Sequence, residues 1–520
     1  MAEEKHDEKN NLTVSIVSKA DKENTNKLTV VPQILAVTVK NLLVLPTGMT
    51  IGFITILIPR IVGNDPNEHF SLTPEQISWI GSSLSISSFI GSLGSGFISQ
   101  PLGRKRVMIL TTIPFFLAWI IHRFATEIWH LFFALSLNGI CGGLVGGSVF
   151  SYVAEISQPH VRGMLSATSS VTIVFGVSVE IYLGTFLPWR TAALFSAIVP
   201  IIAFCLLWFL PESPQWLLSK HRDEEAKKSL AWFRGWTTTD SVEKEFQQIK
   251  DNSKKKQIQS NSVKKLTKTK KLQVFLSKSF LFPLCLISFI YALGNFTGGL
   301  TLQTYSVLIF ATLDVPINKY YATVLMGSFE LIGCLLSIVL VRCLGKRKMG
   351  LFSLFAVILC DIFIGVYAFM NNINKLNYKT DFENISLDSI SGHQWIPLFL
   401  LLSISFVGHC GLKGLPWILV GEVFSYETRS FGCGLCTAVF FITAFLANKV
   451  FLDMVNGLSF PGVYWFYAGV GCVGFIIIYM AVPETEGKTL QEINDHFAGR
   501  NKLDNNKLLK LKEEQLLTSA

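Results

Sequence analysis

Twelve apolar runs divide this sequence, and they are candidates for helices that cross a lipid bilayer. Roughly 20 apolar residues are needed for one crossing. The runs cover residues 34–58, 77–99, 107–121, 128–154, 165–187, 191–210, 280–310, 321–341, 349–370, 395–421, 430–453 and 461–482. Apolar residues make up 50% of the 520 residues and charged residues 16%, whereas roughly a quarter of residues are charged in soluble proteins. We therefore predict an all-α membrane protein with twelve transmembrane helices.

The basic residues predict the orientation of these helices. The segment from Gln215 to Ser279 contains 16 Lys or Arg and 7 Asp or Glu, so its net charge is 16 − 7 = +9, equal to that of the whole chain. Shorter basic clusters follow the second and eighth runs, at 104–106 and 342–348. Because cytoplasmic loops carry an excess of Lys and Arg, we expect these loops and both termini to be cytoplasmic.

These features divide the chain into five parts. The two six-helix halves are expected over 34–210 and 280–482, and a basic cytoplasmic linker with short helices joins them over 211–279. A cytoplasmic tail without regular structure is expected over 1–33, because these residues are polar and lack the apolar core of a signal sequence. A second cytoplasmic tail is expected over 483–520.

Three short signatures recur in the same order in the two halves. They pair Gly103, Arg104 and Lys105 with Gly345, Lys346 and Arg347, Glu155 and Arg162 with Glu422 and Arg429, and Glu212 with Glu484. This order predicts a parallel repeat of six helices, an architecture that transporters use. We interpret the residues as a cytoplasmic gate whose ion pairs hold the halves together when that side is shut. The alternative is that Arg and Lys only set the topology, which does not explain the repeated Glu.

The remaining composition excludes several classes of function. Most of the ten cysteines lie in apolar runs, so we expect free thiols rather than a disulfide framework. Cys433 and Cys436 have redox-motif spacing without a partner pair, and we expect no metal site. We find no catalytic nucleophile or nucleotide motif, so we predict no enzymatic activity and no cofactor. The basic residues lie beside apolar runs without interleaved aromatic platforms, which argues against nucleic acid as a partner.

One glycosylation sequon lies where the topology allows its modification. Asn384 begins the pattern Asn-Ile-Ser in the longest loop expected outside the cytoplasm. A second sequon at Asn11 would be cytosolic and a third at Asn295 would lie within a span. We therefore expect Asn384 to be the residue that carries a glycan.

The motifs around the helix ends resemble those of the sugar porter family of the major facilitator superfamily. Pro211-Glu-Ser-Pro-Gln-Trp-Leu217 is similar to the family's motif after helix six, and Pro483-Glu-Thr-Glu-Gly-Lys-Thr-Leu490 to its motif after helix twelve. Pro416 and Trp417 match helix ten. The resemblance covers about 34–497 and is closest to the insect facilitated trehalose transporters and their relatives.

This resemblance implies a fold and a function. The fold is the major facilitator fold, with two pseudo-symmetric halves of six helices. The function is facilitative transport of a sugar, trehalose or a hexose, across the plasma membrane by alternating access, and the protein is expected to work as a monomer. The partners are then a small-molecule sugar and the lipid bilayer.

The family's sugar-binding positions are only partly kept. In helix seven most of the family's amides are lost, and Ser170 replaces a glutamine of helix five. Glu330 stands where many relatives carry a sugar-contacting asparagine, and His409 where they carry a glutamate. Pyranose recognition needs amides and an aromatic platform. The residues predicted to bind substrate are Trp417, Ser170, Asn295, Gln303, Tyr305, Glu330, His409 and Lys413.

Ionisable residues within the apolar runs leave three interpretations open. Such groups are costly in a bilayer and mark a site or pathway. Glu330 and Lys413 pair across the cavity and bind substrate hydroxyls, or Glu330 or Glu180 carries a coupled proton, or the pair is a static structural feature. Helix one lacks the Asp of proton-coupled relatives, which favours a facilitator. The alternatives are a proton-coupled sugar carrier, a carrier of a non-sugar or charged solute, and a sugar receptor that does not transport.

Overall fold

The computed structural model describes residues 2–62, 72–251, 276–377, 392–424, 428–486, 488 and 490–500. These residues form helices joined by turns, and a further helix covers 243–251. In chain order the labelled helices are α1 (Ala2–Val62), α2 (Pro74–Leu102), α3 (Arg104–Phe124), α4 (Ile128–Ile156), α5 (Pro159–Phe186), α6 (Trp189–Ser196), α7 (Ile198–Leu207), α8 (Pro214–Ser219), α9 (Asp223–Phe233), α10 (Lys278–Phe296), α11 (Gly299–Thr312), α12 (Lys319–Leu344), α13 (Lys346–Met370), α14 (Trp395–Cys410), α15 (Leu415–Leu419), α16 (Arg429–Ala481) and α17 (Leu490–Phe497).

The prediction of twelve membrane spans is confirmed. Ten stretches of the described residues are long and apolar enough to cross a membrane. One of them, Phe431–Ala481, contains two spans, because the chain leaves the helical conformation at Ser459 (φ 65°, ψ 163°). The remaining span, α2, is not among the ten stretches because it is rich in Ser and Gly, although it is long enough to cross a membrane. The sixth span consists of α6 and α7, the seventh of α10 and α11, and the tenth of α14 and α15.

The first helix is assigned over Ala2–Val62, so residues 2–33 are helical where a tail without regular structure was expected. Its part Val30–Val62 is long and apolar enough to cross a membrane. The predicted domain boundaries stay predictions, and Asn384 lies outside the described residues.

The two halves repeat the same packing. In the first half α2 packs on α4 and α1 packs on α5, and in the second half the equivalent helices pack in the same way, α12 on α14 and α10 on α16. Glycines allow α2 and α4 to approach each other closely. A Cβ atom on Gly91 would lie 2.1 Å from the carbonyl oxygen of Ile140, and one on Gly143 would lie 2.2 Å from that of Ser88. Small residues let membrane helices approach in this way without a hydrophobic driving force.

Hydrogen bonds between the halves cluster towards one end of the bundle. We call the end at which α2, α4 and α7 finish the linker end, and the opposite one the distal end. In the described part of the chain, four side chains donate to backbone carbonyls of the other half: Thr55 to Gln303 (2.8 Å), Ser78 to Lys449 (2.7 Å), Ser178 to Gly327 (2.9 Å) and Asn448 to Gly81 (3.0 Å). All of them lie in the distal part of their helices. The halves are therefore joined through the distal part of the bundle.

The described part of the linker forms a small helical layer against the first half. Trp216 and Leu217 of α8 pack with Ala226 and Leu230 of α9 and with Phe246. Ion pairs join its surfaces, including Lys227 with Glu243 at 2.6 Å and Arg234 with Glu245 at 2.7 Å. The hydrogen bond from Lys227 to Glu243 raises the pKa of this lysine and lowers that of the glutamate. This layer adjoins the linker ends of α3 and α7.

Candidate functional site

The seventh span is broken where it crosses the middle of the bundle. Gly298 adopts a left-handed conformation (φ 78°) between α10 and α11, and a Cβ atom there would lie 2.6 Å from the ring of Tyr467. A second departure from helical geometry follows at Tyr305. Irregular backbone within a membrane is tolerated only where protein or a cavity satisfies its polar groups. The break at Gly298 borders a small cavity between the seventh, ninth and tenth spans.

Three predicted residues meet beside this break. Lys413, in the turn between α14 and α15, donates from Nζ to the carbonyl oxygen of Gly299 at 3.3 Å. The same nitrogen lies 4.0 Å from Oε1 of Glu330 on α12. With its amide oriented to satisfy both groups, Gln303 of α11 donates to Oε1 of Glu330 at 2.6 Å. The structure thus brings together polar groups from the seventh, eighth and tenth spans.

The two charges of this cluster have different exposure. The Glu330 side chain is 2% exposed and the Lys413 side chain is 24% exposed. Lys413 fits because residue 299 is glycine, since a Cβ atom there would lie 2.8 Å from Cε of Lys413. An ammonium group has three donors, and one of them is used by Gly299. Lys413 can therefore donate to a further oxygen, and the carboxylate of Glu330 offsets its charge.

Trp417 lies in an aromatic cluster on the linker side of this cavity. It lies on α15, whose second residue is Pro416. Its ring meets those of Tyr291 and Phe440 in edge-to-face geometry, with centroids 5.0 and 5.2 Å away. The hydroxyl of Tyr291 is buried and has no hydrogen-bond partner among the described residues. Sequence analysis missed Tyr291, although a tyrosine inside an apolar run was a visible signal.

Asn295 is held in contacts within the second half, whereas Tyr305 also packs against Gly81 of the first half. Nδ2 of Asn295 donates to the carbonyl oxygen of Phe440 at 3.1 Å and to Oγ1 of Thr443 at 2.8 Å. The Tyr305 ring is buried and stacks on Phe451 at 5.0 Å between centroids. In this conformation both residues brace the helices around the cavity, and their part in binding substrate stays a prediction.

The remaining predicted binding residues lie apart from the Lys413 cluster or turn towards their own helix. His409 on α14 donates from Nδ1 to the carbonyl oxygen of Ser405, one turn earlier, at 2.8 Å. Ser170 is partly exposed on α5, beside the buried Ser169. Neither has a described hydrogen bond to Glu330 or Lys413.

Glu180 lies inside the first half. Its side chain is buried, and its Oε2 accepts a hydrogen bond from Oγ of Ser196 at 2.6 Å. A Cβ atom on Gly52 of α1 would lie 3.0 Å from Cβ of Glu180. Glu180 is thus packed among α1, α5 and α6, and Glu330 packs in the second half. The two predicted proton sites do not form one cluster.

At the linker end of the first half, Arg104 joins two acidic residues. Its guanidinium pairs with Glu155 at 2.8 Å, and its backbone N–H donates to Oε1 of Glu212 at 3.1 Å. Glu212 also accepts from the backbone N–H of Lys105 at 3.1 Å. Ser213 donates to the second oxygen of Glu155. Glu212 therefore caps the start of α3, where a carboxylate is favoured by the helix dipole.

The second half repeats this arrangement. Lys346 pairs with Glu422 at 2.7 Å, and its backbone N–H donates to Oε1 of Glu484 at 3.0 Å. Oε2 of Glu484 accepts from the backbone N–H of Arg347 at 3.1 Å. Thr485 takes the place of Ser213 and donates to Glu422 at 2.9 Å. The repeat read from the sequence is thus a repeat of three-dimensional contacts.

In this conformation these ion pairs lie within each half, Arg104 with Glu155 and Lys346 with Glu422. The reason is that, within one half, the third span begins beside the places where the fourth and sixth spans end. That gate residues bridge the halves when this side is shut stays a prediction. Arg162 also turns inward, donating to the carbonyl oxygen of Ser157 at 3.2 Å. Arg429 begins α16, and its side chain lies outside the described part of the chain.

Replacing Gly345 by alanine is expected to lower the melting temperature of the purified protein. Gly345 has φ 83° and ψ 160°, and a Cβ atom there would lie 2.5 Å from Oε2 of Glu484. Only glycine adopts this backbone region readily, and forcing another residue into it costs about 1–3 kcal/mol. The matched control is Gly469→Ala, a helical site with no neighbour within 4 Å of an added Cβ. Equal melting temperatures for the two variants would contradict the prediction.

Three further ionisable residues were missed by the sequence analysis. Lys40 is buried in α1 and donates to Oγ of Ser169. Asp361 is buried in α13, and its Oδ2 has no hydrogen-bond partner among the described residues. His122 is buried at the end of α3. Lys40 and Asp361 lie within predicted apolar runs, so the rule that singled out Glu180 could have found them.

Comparison with known proteins agrees with this architecture. The profile of the family described as "Sugar (and other) transporter" matches residues 36–497. The chain is 27% identical over 483 residues to the facilitated trehalose transporter Tret1 of Polypedilum vanderplanki, covering 92% of this chain and 90% of that one. It is 28% identical over 456 residues to the mouse solute carrier family 2, facilitated glucose transporter member 6, covering 87% and 88%.

Solved structures with the same fold are more distant in sequence. The proton:xylose symporter XylE superposes with a TM-score of 0.68 at 19% identity, covering 91% of this chain and all of that one. A partially occluded, inward-open structure of the xylose transporter XylE from E. coli gives 0.67 at 17% identity, covering 87% of this chain and all of that one. These likenesses establish the major facilitator fold. The chain therefore belongs to the sugar transporter family, a family of membrane carriers and not of enzymes.

Proposed function

We propose that this protein is a facilitative carrier of a sugar, trehalose or a hexose, in the plasma membrane. The observation that carries the proposal is the polar site at the broken seventh span, where Lys413, Glu330 and Gln303 meet, with Trp417 four residues after Lys413 on α15. Ring-bearing substrates with many hydroxyls need donors and acceptors together with an aromatic face. The names of the similar proteins, which include transporters of trehalose and of glucose, support the same substrate class.

Each named residue has a role in this proposal. Lys413 donates to a substrate hydroxyl, and Glu330 holds Lys413 and Gln303 in place. Trp417 supplies the face on which a sugar ring stacks, and the unpaired hydroxyl of Tyr291 binds a further substrate oxygen. Ser170 and His409 contact the substrate when the halves close around it, while Asn295 and Tyr305 brace the seventh span.

Transport by alternating access follows from the distribution of contacts. The hydrogen bonds between the halves lie in the distal part of the bundle, whereas the linker-end ion pairs stay within each half. Two internally rigid halves can then rock about the central site. In this proposal the gate residues keep the ends of the spans together, so that each half moves as one body and the cytoplasmic side opens and shuts. The linker and both termini face the cytoplasm.

Uptake of labelled sugars into oocytes tests the proposal. Trehalose and glucose should be compared with an amino acid, each at two external pH values, with the chain expressed at the cell surface. We expect saturable uptake of at least one sugar, equal at both pH values, and none of the amino acid. Binding of a sugar by the purified protein without any uptake would support the receptor instead.

A second candidate, a proton-coupled or charged-solute carrier, rests on Glu330. The Glu330 side chain is 2% exposed, and its Oε1 lies 4.0 Å from Nζ of Lys413, which lines the cavity. A proton carrier at this position would bind sugar more tightly when Glu330 is protonated. Sugar uptake that collapses under a protonophore would favour this candidate over the facilitator.

Glycosylation of Asn384 tests the proposed orientation. The expressed protein is expected to lose mass on endoglycosidase treatment, because the loop around Asn384 faces away from the cytoplasm. Asn384→Gln should abolish the shift, and Asn11→Gln should leave it unchanged. A shift that is lost only in Asn11→Gln would put the amino terminus outside the cell and contradict the orientation.

A further inference from the structure

A groove of about 640 Å³ lies at the linker end, outside the sugar site. It is bounded by the start of α3, the residues that follow α7, and the linker helices α8 and α9. Its basic side chains are Lys105 and Arg106 of α3, Lys228 of α9, and Arg222, which precedes α9. Tryptophans from three segments complete its walls. Lys105 and Glu212 also belong to the gate, but the proposed sugar transport assigns no ligand to this groove.

The charges in the groove are unbalanced. The four basic residues face two acidic ones, Glu212 and Glu225, and both of these are already engaged. Glu212 accepts from the backbone N–H groups of α3, and Glu225 accepts two hydrogen bonds from Arg222, at 2.8 and 2.5 Å. Arg106 and Lys228 are exposed and have no ion pair among the described residues. A negatively charged ligand would form ion pairs with both of these side chains.

The groove opens towards the bilayer. Trp208 lines it and is 63% exposed at the end of the sixth span, next to Phe209, which is 78% exposed. Tryptophan is enriched at the headgroup level of membranes. Lys105 donates to the carbonyl oxygen of Trp208 at 2.8 Å, which ties this edge to the basic wall. A ligand in the groove would thus have its charged part on the linker side and its apolar part beside the span.

The equivalent corner of the second half differs. There Lys346 pairs with both Glu422 and Glu486, at 2.7 and 3.1 Å. One contact is shared: Arg347 donates to the carbonyl oxygen of Tyr479 at 2.5 Å, as Lys105 does to that of Trp208. The described chain places no pair of linker helices over this corner. The groove is therefore a feature of the first half and is not imposed by the repeat.

We propose that this groove binds the headgroup of an anionic glycerophospholipid of the cytoplasmic leaflet. Its phosphate lies between Arg106 and Lys228, and its glycerol and acyl chains pass along Trp208. Basic pockets beside transmembrane helices on the cytoplasmic side suit such headgroups. The bound lipid joins the linker layer to the first half at the bilayer surface. The site needs the cytoplasmic orientation proposed above, but it does not depend on which solute is carried.

Native mass spectrometry of the full-length protein titrated with phosphatidylserine tests the site. The double variant Arg106→Gln, Lys228→Gln is expected to bind this lipid about tenfold more weakly, because the phosphate loses the two cationic side chains that flank it. The matched control, Lys244→Gln with Lys348→Gln, removes two exposed charges at the same end of the bundle and is expected to bind as the unchanged protein does. Phosphatidylcholine is expected to bind no more strongly to one protein than to another.

The other outcomes would overturn the proposal. Equal weakening in both double variants would mean that general surface charge attracts the lipid, and equal binding in all three proteins would mean that the groove is not used. Glycerol phosphate that displaces phosphatidylserine at equal concentration would identify a site for free anions. Sugar uptake by the groove variant shows whether it is folded, so a failure of the lipid site is distinguishable from a failure of the proposed transport.

Discussion

Uptake of the carried sugar is expected to fall by at least tenfold when Lys413 is replaced by methionine. The variant removes a hydrogen-bond donor to the substrate, and charge-assisted hydrogen bonds contribute about 1.5–3 kcal/mol, where about 1.4 kcal/mol corresponds to tenfold. It also leaves Glu330, which is 2% exposed, without its neighbouring cation. Initial rates of uptake into proteoliposomes, normalised to inserted protein, measure the loss.

The double variant Lys413→Met, Glu330→Gln separates binding from structure. If the two residues formed only a static pair, neutralising both would restore the melting temperature and the uptake together. We expect the melting temperature to recover and the uptake to stay low, because the substrate has lost its donor. Asp361→Asn, which neutralises a buried carboxylate of α13, is the matched control and is expected to keep its uptake. Full uptake by the Lys413→Met variant would remove Lys413 from the site.

Trp417→Ala is expected to abolish uptake of any sugar. The indole contacts Tyr291 and Phe440, so its loss removes the aromatic face and loosens the cluster that holds the unpaired Tyr291 hydroxyl. Truncating a packed tryptophan costs about 3–5 kcal/mol of stability, which is why uptake must be compared at equal amounts of folded protein. The measurement is uptake beside sugar-dependent quenching of tryptophan fluorescence.

Trp465→Ala is the matched control for this prediction. Trp465 is 41% exposed on α16 and meets Phe369 at 5.7 Å between ring centroids, away from the cavity. Its replacement is expected to keep uptake and binding. Unchanged uptake in Trp417→Ala would show that Trp417 is not part of the site.

The architecture was predictable because its signals are local in sequence. Runs of apolar residues give the spans, and the repeated Gly, basic and Glu residues give the order of the halves. The structure adds that Gly103 and Gly345 share a backbone conformation that only glycine adopts readily, with φ 98° and 83°. The sequence predicts where the repeat lies but not which residues pair with each other, because it does not show which helix ends lie side by side.

The candidate site was only partly predictable. Lys413 and Glu330 were predicted because charged residues are conspicuous within apolar runs. The same signal at Lys40 and Asp361 was overlooked. The break at Gly298 allows the hydrogen bond from Gln303 to Glu330 and makes glycine necessary at residue 299. The spacing of residues in the sequence does not predict this break. Asn295 was predicted as a sugar ligand, yet in this conformation its amide donates to α16.

Facilitated exchange of a sugar through the site around Lys413 and Trp417 is best tested by counterflow in proteoliposomes. Vesicles loaded with unlabelled trehalose or glucose are diluted into a trace of the same labelled sugar, with a protonophore present. We expect transient accumulation of the label in vesicles that contain the unchanged protein and none with Trp417→Ala. Accumulation that needs a proton gradient, or no counterflow of either sugar beside normal binding, would contradict it.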